Sequence, residues 1–173
     1  MNDSIHDYEA EDFICRAYKL LNGVVNPNNP VPEIRFVDYF QDMPLGCVAL
    51  GIPDNLHIAV GSKNVKDFVD EIGRDNAYMY FIDFIVHELY HAAQNIDLPR
   101  YANDEEYNDL IETDCEYHST LFILNYSSWI LDRLGLSFLQ VNYNPTDTFK
   151  ECKREDLQNQ KETMSTDPWI ISF

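Results

Sequence analysis

The chain has 173 residues, of which 45% are hydrophobic and 24% are charged. This composition predicts one domain with a single core and excludes a disordered chain, which would contain fewer apolar residues. The 30 acidic and 12 basic residues give a formal net charge of -18, which repels nucleic-acid phosphates and anionic lipid. We therefore expect neither nucleic acid nor a membrane as a direct partner. The same charge attracts cations or a basic protein, or it serves only solubility.

The four cysteines, Cys15, Cys47, Cys115 and Cys152, lie far apart and form no CxxC pair. This spacing argues against a zinc ribbon and against a small disulfide-stabilised secreted domain. Residues 1–13 are acidic and lack the basic start and apolar stretch of a signal peptide. No apolar stretch is long enough to span a bilayer. We expect a protein of the reducing cytoplasm.

The first predicted element is a helix over residues 5–21, because apolar residues recur there at helical spacing before Gly23. The turn-rich segment 26–32 then predicts a loop. Three strands follow, and Pro53-Asp54 is expected to turn the second into the third as a hairpin. The strands cover residues 33–40, 47–52 and 56–60.

Helices dominate the rest of the chain. A short helix is predicted over 63–72, and a stronger one over 75–96 is apolar on two opposite faces, which is typical of a helix buried in the middle of a domain. Pro99 is expected to end this region, and a long helix follows over 104–134. From about residue 136 the chain is polar, with one further short helix near 150–160. The fold class is therefore α+β, in a single domain over 1–173 with a polar C-terminal extension.

The pattern His87-Glu88-Leu-Tyr-His91 is an HExxH motif inside the second of these helices. Histidines four residues apart project from one helix face, so both imidazoles can bind one metal ion. Zinc suits neutral imidazole ligands in tetrahedral geometry. Glu88 lies on a neighbouring line of the helix, from which its carboxylate can reach a water molecule without binding the metal. The alternative is two core histidines beside a surface glutamate.

A catalytic zinc site needs a third protein ligand, and the following helix carries acidic candidates. Glu112 and Glu116 lie on one line of that helix, which continues into an apolar stripe, whereas Asp114 points roughly 160° away. Core-facing carboxylates require a partner, because a buried unpaired charge is unfavourable. One of them would bind zinc, and the other would accept the second ring proton of a ligating histidine. Alternatively, both belong to a solvated first turn.

HELYH followed by an acidic helix resembles the gluzincin metallopeptidases, in which a glutamate after HExxH is the third ligand and an acid four residues later orients a histidine. By this resemblance Glu112 is the ligand and Glu116 the orienting acid, with Glu116 as the alternative ligand. Over roughly residues 33–124 the chain looks most like the small ImmA/IrrE-type metallopeptidases, whose E-x-E-A-(N/D) segment opens the next helix. Here Asp114, Cys115 and Glu116 replace the Glu, the Ala and the Asn or Asp. The resemblance implies a minimal zincin-like domain.

The sequence therefore predicts a zinc-dependent metallopeptidase that hydrolyses peptide bonds of a specific intracellular protein. Zinc acidifies a water molecule, and Glu88 is the general base that takes its proton and delivers it to the leaving amine. The competing interpretation is a catalytically silent binding or assembly protein with a zincin fold. The presence of Glu88 favours the enzyme, because metal binding alone does not require it.

Two further parts of an active site have candidates in the sequence. The candidate hydrogen-bond donors to the oxyanion that develops during hydrolysis are His118, Tyr117, Tyr126 and His57. The strand at 56–60, just upstream of the motif helix, is the predicted edge that receives the substrate as an added strand.

Overall fold

A computed structural model describes residues 4–28, 30–31, 33–41, 45–50, 56–94 and 96–139. The described residues contain five helices and three strands, so the α+β class is confirmed. The predicted Pro53-Asp54 turn and the predicted helix near 150–160 lie outside the described residues. In chain order the elements are α1 (Tyr8–Val25), β1 (Glu33–Val37), β2 (Gly46–Leu50), β3 (Leu56–Gly61), α2 (Ser62–Ile72), α3 (Arg74–Ala93), α4 (Leu98–Asn103) and α5 (Glu105–Arg133).

Helix α1 packs along α3 and begins at a capped end. The Asp7 side chain accepts a hydrogen bond from the backbone N–H of Ala10 at 3.1 Å, and it also pairs with Arg74 of α3 at 3.0 Å. The Phe13 ring stacks on Tyr78 with 3.8 Å between ring centroids. The expected stop at Gly23 is wrong, since α1 continues to Val25. A single exposed glycine lowers helix stability only modestly, and packing against α3 outweighs that effect.

The three strands form one sheet in the order β1-β3-β2. β3 pairs with β1 in parallel and with β2 in antiparallel orientation, with Leu50 opposite Leu56 at the end of the antiparallel pair. The prediction that 56–60 is an edge strand is therefore wrong, because both sides of β3 already carry backbone partners. The two edges are β1 and β2, and it is β2 that contacts α3.

Helix α3 is the centre of the domain. Phe81, Ile85 and Leu89, on the first of its two predicted apolar faces, are completely buried. The second face is buried only toward its C-terminal end: Tyr80 is 57% exposed, whereas His91 is 8% exposed. The expectation of burial along both faces was therefore too broad. α5 covers the second face only around the two motif histidines, and the first turns of that face remain open to solvent.

A short helix, α4, lies where Pro99 was expected to end the helical region. Pro99 occupies the first turn of α4. Backbone N–H groups in the first turn make no hydrogen bond within the helix, so proline, which lacks this group, is tolerated there. Asp97 caps α4 by accepting from Arg100 N, and Asp104 caps α5 by accepting from Tyr107 N. These two caps fold the chain back sharply after α3, so that α5 returns along the motif helix.

Candidate metal centre

The two motif histidines sit one turn apart on α3 and face α5. Their ring centroids are 4.6 Å apart and the ring planes are nearly perpendicular. The His91 side chain is 8% exposed and that of His87 is 22% exposed. The pair is thus partly shielded from water but still accessible from one side, which is the exposure that a metal centre with a solvent-facing position requires.

Glu112 of α5 approaches both imidazoles with one carboxylate oxygen. Its Oε2 atom lies 3.2 Å from His91 Nε2 and 3.6 Å from His87 Nε2. Donors bound to one tetrahedral zinc, at bond lengths near 2 Å, are separated by about 3.3 Å. The two separations that involve Glu112 are therefore close to those of donors on one zinc ion, and the chemistry of two imidazoles and a carboxylate suits that metal.

The second ring nitrogen of each histidine contacts a different polar residue. His87 Nδ1 lies 3.5 Å from Glu116 Oε2, and His91 Nδ1 lies 2.8 Å from Gln94 Oε1. The amide oxygen of Gln94 can only accept, so His91 donates from Nδ1 and directs Nε2 toward Glu112. Of the two acids in the predicted stripe, it is Glu112 that meets both Nε2 atoms and Glu116 that meets a ring nitrogen on the far side.

Gln94 connects His91 to a buried acid. Its Nε2 atom donates to the Ile111 carbonyl at 3.0 Å and to Asp114 Oδ2 at 3.1 Å. Asp114 is only 4% exposed. It orients Gln94, although it lies on a different face of α5 from Glu112. The HExxH pattern does not predict a role for Gln94, although its position three residues after His91, at the C-terminal end of α3, places it beside that histidine.

Cys115 also lies within reach of the histidines. Among the described residues, ligand atoms of His87, His91 and Cys115 all lie within 4.8 Å of one another. The thiol is completely buried, and its Sγ donates to the His87 carbonyl at 3.1 Å. The sequence predicts no role for this cysteine, because its spacing from the other cysteines is not that of a metal motif.

Tyr101 of α4 is a further polar neighbour that the sequence interpretation missed. Its hydroxyl donates to Glu112 Oε1. Burial, this hydrogen bond and the charge of nearby Glu88 raise the pKa of Tyr101 above its ordinary value. Glu88 itself is 7% exposed. A protonated phenol thus lies close to both the predicted base and the predicted ligand.

The charges in the cluster favour a cation at its centre. Burial alone would raise the pKa of Glu112, but its hydrogen bonds with His87 and His91 hold that pKa well below the usual range. Burial alone would lower the pKa of the two histidines, but Cys115 and Glu112 raise both pKa values well above the usual range. These side chains stabilise positive charge at the point where a metal ion would supply it.

Comparison of the chain with protein-family models, curated proteins and solved structures found no match. The likeness to gluzincins therefore rests on the motif residues alone. No helix in the described part of the chain combines the length and apolar character needed to cross a membrane.

The predicted oxyanion donors each have other contacts in the structure. His118 Nδ1 donates to the Asp114 carbonyl at 2.8 Å, Tyr117 packs edge-on against His118, and Tyr126 packs against the Phe122 ring. His57 is buried in the central strand β3. His118 also lies 3.3 Å from Asp114 Oδ1, so it borders the network that orients His91 through Gln94. Among the described tyrosines it is Tyr101 whose hydroxyl donates to Glu112.

Proposed function

We propose that the chain is a zinc-dependent metallopeptidase with a minimal zincin-like fold, which hydrolyses peptide bonds of a specific cytoplasmic protein. One observation carries this proposal: the HExxH helix packs against α5 so that both histidine Nε2 atoms lie 3.2 and 3.6 Å from a single carboxylate oxygen of Glu112. An accidental HExxH sequence has no reason to meet a third ligand at zinc-like separations.

Each residue then has a defined task. His87, His91 and Glu112 would hold a zinc ion, which would supply polarisation of the scissile carbonyl and acidification of water. Glu88 accepts the proton of the attacking water and passes it to the leaving amine. Glu116 fixes the orientation of the His87 ring through Nδ1, as ring-orienting carboxylates do in other metal sites.

Tyr101 completes the set of polar groups. Its hydroxyl donates to Glu112, and its phenol, whose pKa the charge of Glu88 helps to raise, is our candidate donor to the developing peptide oxyanion. The substrate is expected to add to the outer edge of β2, which pairs with no further strand among the described residues and belongs to the edge strand that contacts α3. Backbone hydrogen bonds along that edge would hold an extended peptide across the motif helix.

Replacement of the Glu88 carboxylate by an amide tests the proposal. Glu88→Gln keeps the size of the side chain but cannot take a proton, so we expect unchanged zinc content and a loss of hydrolysis of about 10²-fold or more. Wild-type protein and Glu88→Gln are each incubated with a cytoplasmic protein extract, and new peptide N-termini are identified by mass spectrometry. Equal sets of new termini from both proteins would rule out Glu88 as the base.

A second candidate function is metal-dependent binding without catalysis. The buried thiol of Cys115 favours it, because a fourth protein donor is typical of structural zinc sites. Under this alternative, wild-type protein carries zinc and yields no new termini from any extract. Glu88→Gln would then bind the same partners as wild type.

A further inference from the structure

We propose that Cys115 is a ligand of the same metal ion as His87 and His91, so that the resting centre has four protein ligands and no open position. This inference rests on the metal centre of the proposed function and adds a means of regulating it. The sulfur–metal bond must break before a water molecule or a substrate carbonyl can enter.

The position of Cys115 on α5 is the first argument. Cys115 follows Glu112 by three residues and precedes Glu116 by one, so all three lie on the helix face that meets α3. Its Sγ lies 3.1 Å from the His87 carbonyl oxygen, which holds the side chain against the motif helix. Complete burial leaves the thiol no contact with bulk water.

The separations of the donor atoms are the second argument. Nitrogen and sulfur donors on one tetrahedral zinc are about 3.5 Å apart, and nitrogen and oxygen donors about 3.3 Å. Ligand atoms of His87, His91 and Cys115 lie within 4.8 Å of one another, and Glu112 Oε2 lies 3.2 and 3.6 Å from the two imidazoles. His87, His91 and Cys115 need movements of about an ångström to reach the separations of zinc donors, and Glu112 lies near such separations from both imidazoles.

A purely structural cysteine would not need these neighbours. Cysteine is often buried as a small apolar residue, but the Cys115 thiol interacts with both imidazoles. Cys15 on α1 serves as an internal comparison, since it is half-buried and its charged neighbours are Lys19, Asp12 and Glu11. Of these two cysteines, it is Cys115 whose thiol lies beside the motif histidines.

Forming and breaking the bond between Cys115 sulfur and the metal moves one proton and changes no oxidation state. On metal binding the Cys115 thiol releases its proton to solvent and the sulfur lone pair forms the bond to the ion. On opening, that bond breaks and the sulfur keeps its electron pair. When an acid such as a hydroxamic acid enters, its proton passes to the departing thiolate, and no oxidant or reductant takes part.

Cobalt substitution tests the ligand directly, because thiolate bound to Co²⁺ gives a near-ultraviolet charge-transfer band. We expect this band in Co²⁺-loaded wild-type protein and in the control Cys15→Ala, and we expect none in Cys115→Ala. Cys115→Ser, which keeps the size of the side chain, covers the case in which the alanine variant fails to fold. A wild-type spectrum without the band, or a band that persists in a folded Cys115 variant, would overturn the proposal.

Titration with acetohydroxamate tests the closed state. The reagent should abolish the charge-transfer band of wild type and should bind folded Cys115→Ser about 10-fold more tightly, because no thiolate has to be displaced. Equal affinity for wild type and variant would contradict a closed centre. A charge-transfer band in a protein that hydrolyses no peptide would refute the metallopeptidase and support Cys115 as a ligand. Hydrolysis by a protein without the band would support the metallopeptidase and refute Cys115 as a ligand.

Discussion

Replacing Glu112 by Gln removes the carboxylate charge that both motif histidines share and leaves a side chain of the same size. Zinc sites in folded peptides have total binding free energies of about 10–16 kcal/mol. Divided over three or four donors, one ligand contributes about 3–5 kcal/mol. The Glu112 side chain is 39% exposed, so water can replace it and the low end applies. We therefore expect zinc affinity to fall by about 10²-fold to 10³-fold.

The matched control is Glu116→Gln on the same face of α5. Glu116 meets the far ring nitrogen of His87 at 3.5 Å, and loss of such an orienting partner weakens metal binding by about 10-fold to 100-fold. Competition with a chromophoric zinc chelator measures both affinities on one scale. A larger loss in Glu116→Gln than in Glu112→Gln would refute the assignment and make Glu116 the ligand.

Two further changes are predicted. Tyr101→Phe should lower zinc affinity by no more than about 10-fold but the rate of peptide hydrolysis by about 10²-fold. Tyr107→Phe is the control. Equally small losses of zinc affinity and of hydrolysis in Tyr101→Phe would leave Tyr101 only a positioning role. Asp7→Asn keeps the cap of α1 but loses the charge pair with Arg74, at about 1 kcal/mol of unfolding free energy. Burial raises the pKa of Asp7, but Arg74 and the backbone of Ala10 lower it further, for a net decrease. The difference in stability between wild type and Asp7→Asn should therefore persist above pH 4 and vanish as the pH falls through the lowered pKa of Asp7. Chemical unfolding of both proteins at several pH values measures this difference. A difference that grows in acid would contradict the prediction.

The parts of the site that repeat along one helix could be predicted from the sequence. His87 and His91 are related by helical periodicity alone, and the phase of α5 separates Glu112 and Glu116 from Asp114. These relations are local, so no knowledge of the tertiary fold was needed. The helices α1, α2, α3 and α5 were predicted for the same reason, with errors confined to their ends.

Features that depend on non-local contacts could not be predicted. The position of β3 between β1 and β2 depends on pairing between distant segments, and the apolar alternation of a strand does not contain that information. Gln94 and Tyr101 are common residue types whose role appears only when α4 and α5 fold back on α3. Cys115 had a local signal, its place on the same helix face as Glu112, but neither its spacing from the other cysteines nor its place in the resemblance to E-x-E-A-(N/D) predicts a ligand.

A zinc count of the purified protein tests the metal centre most directly. Elemental analysis of wild-type protein from zinc-supplemented cells, after exhaustive dialysis, should give close to one zinc per chain. The double variant His87→Ala, His91→Ala should retain almost none, with a circular dichroism spectrum showing that its helices persist. A metal-free wild type, or stoichiometric zinc in the folded double variant, would contradict the proposed site.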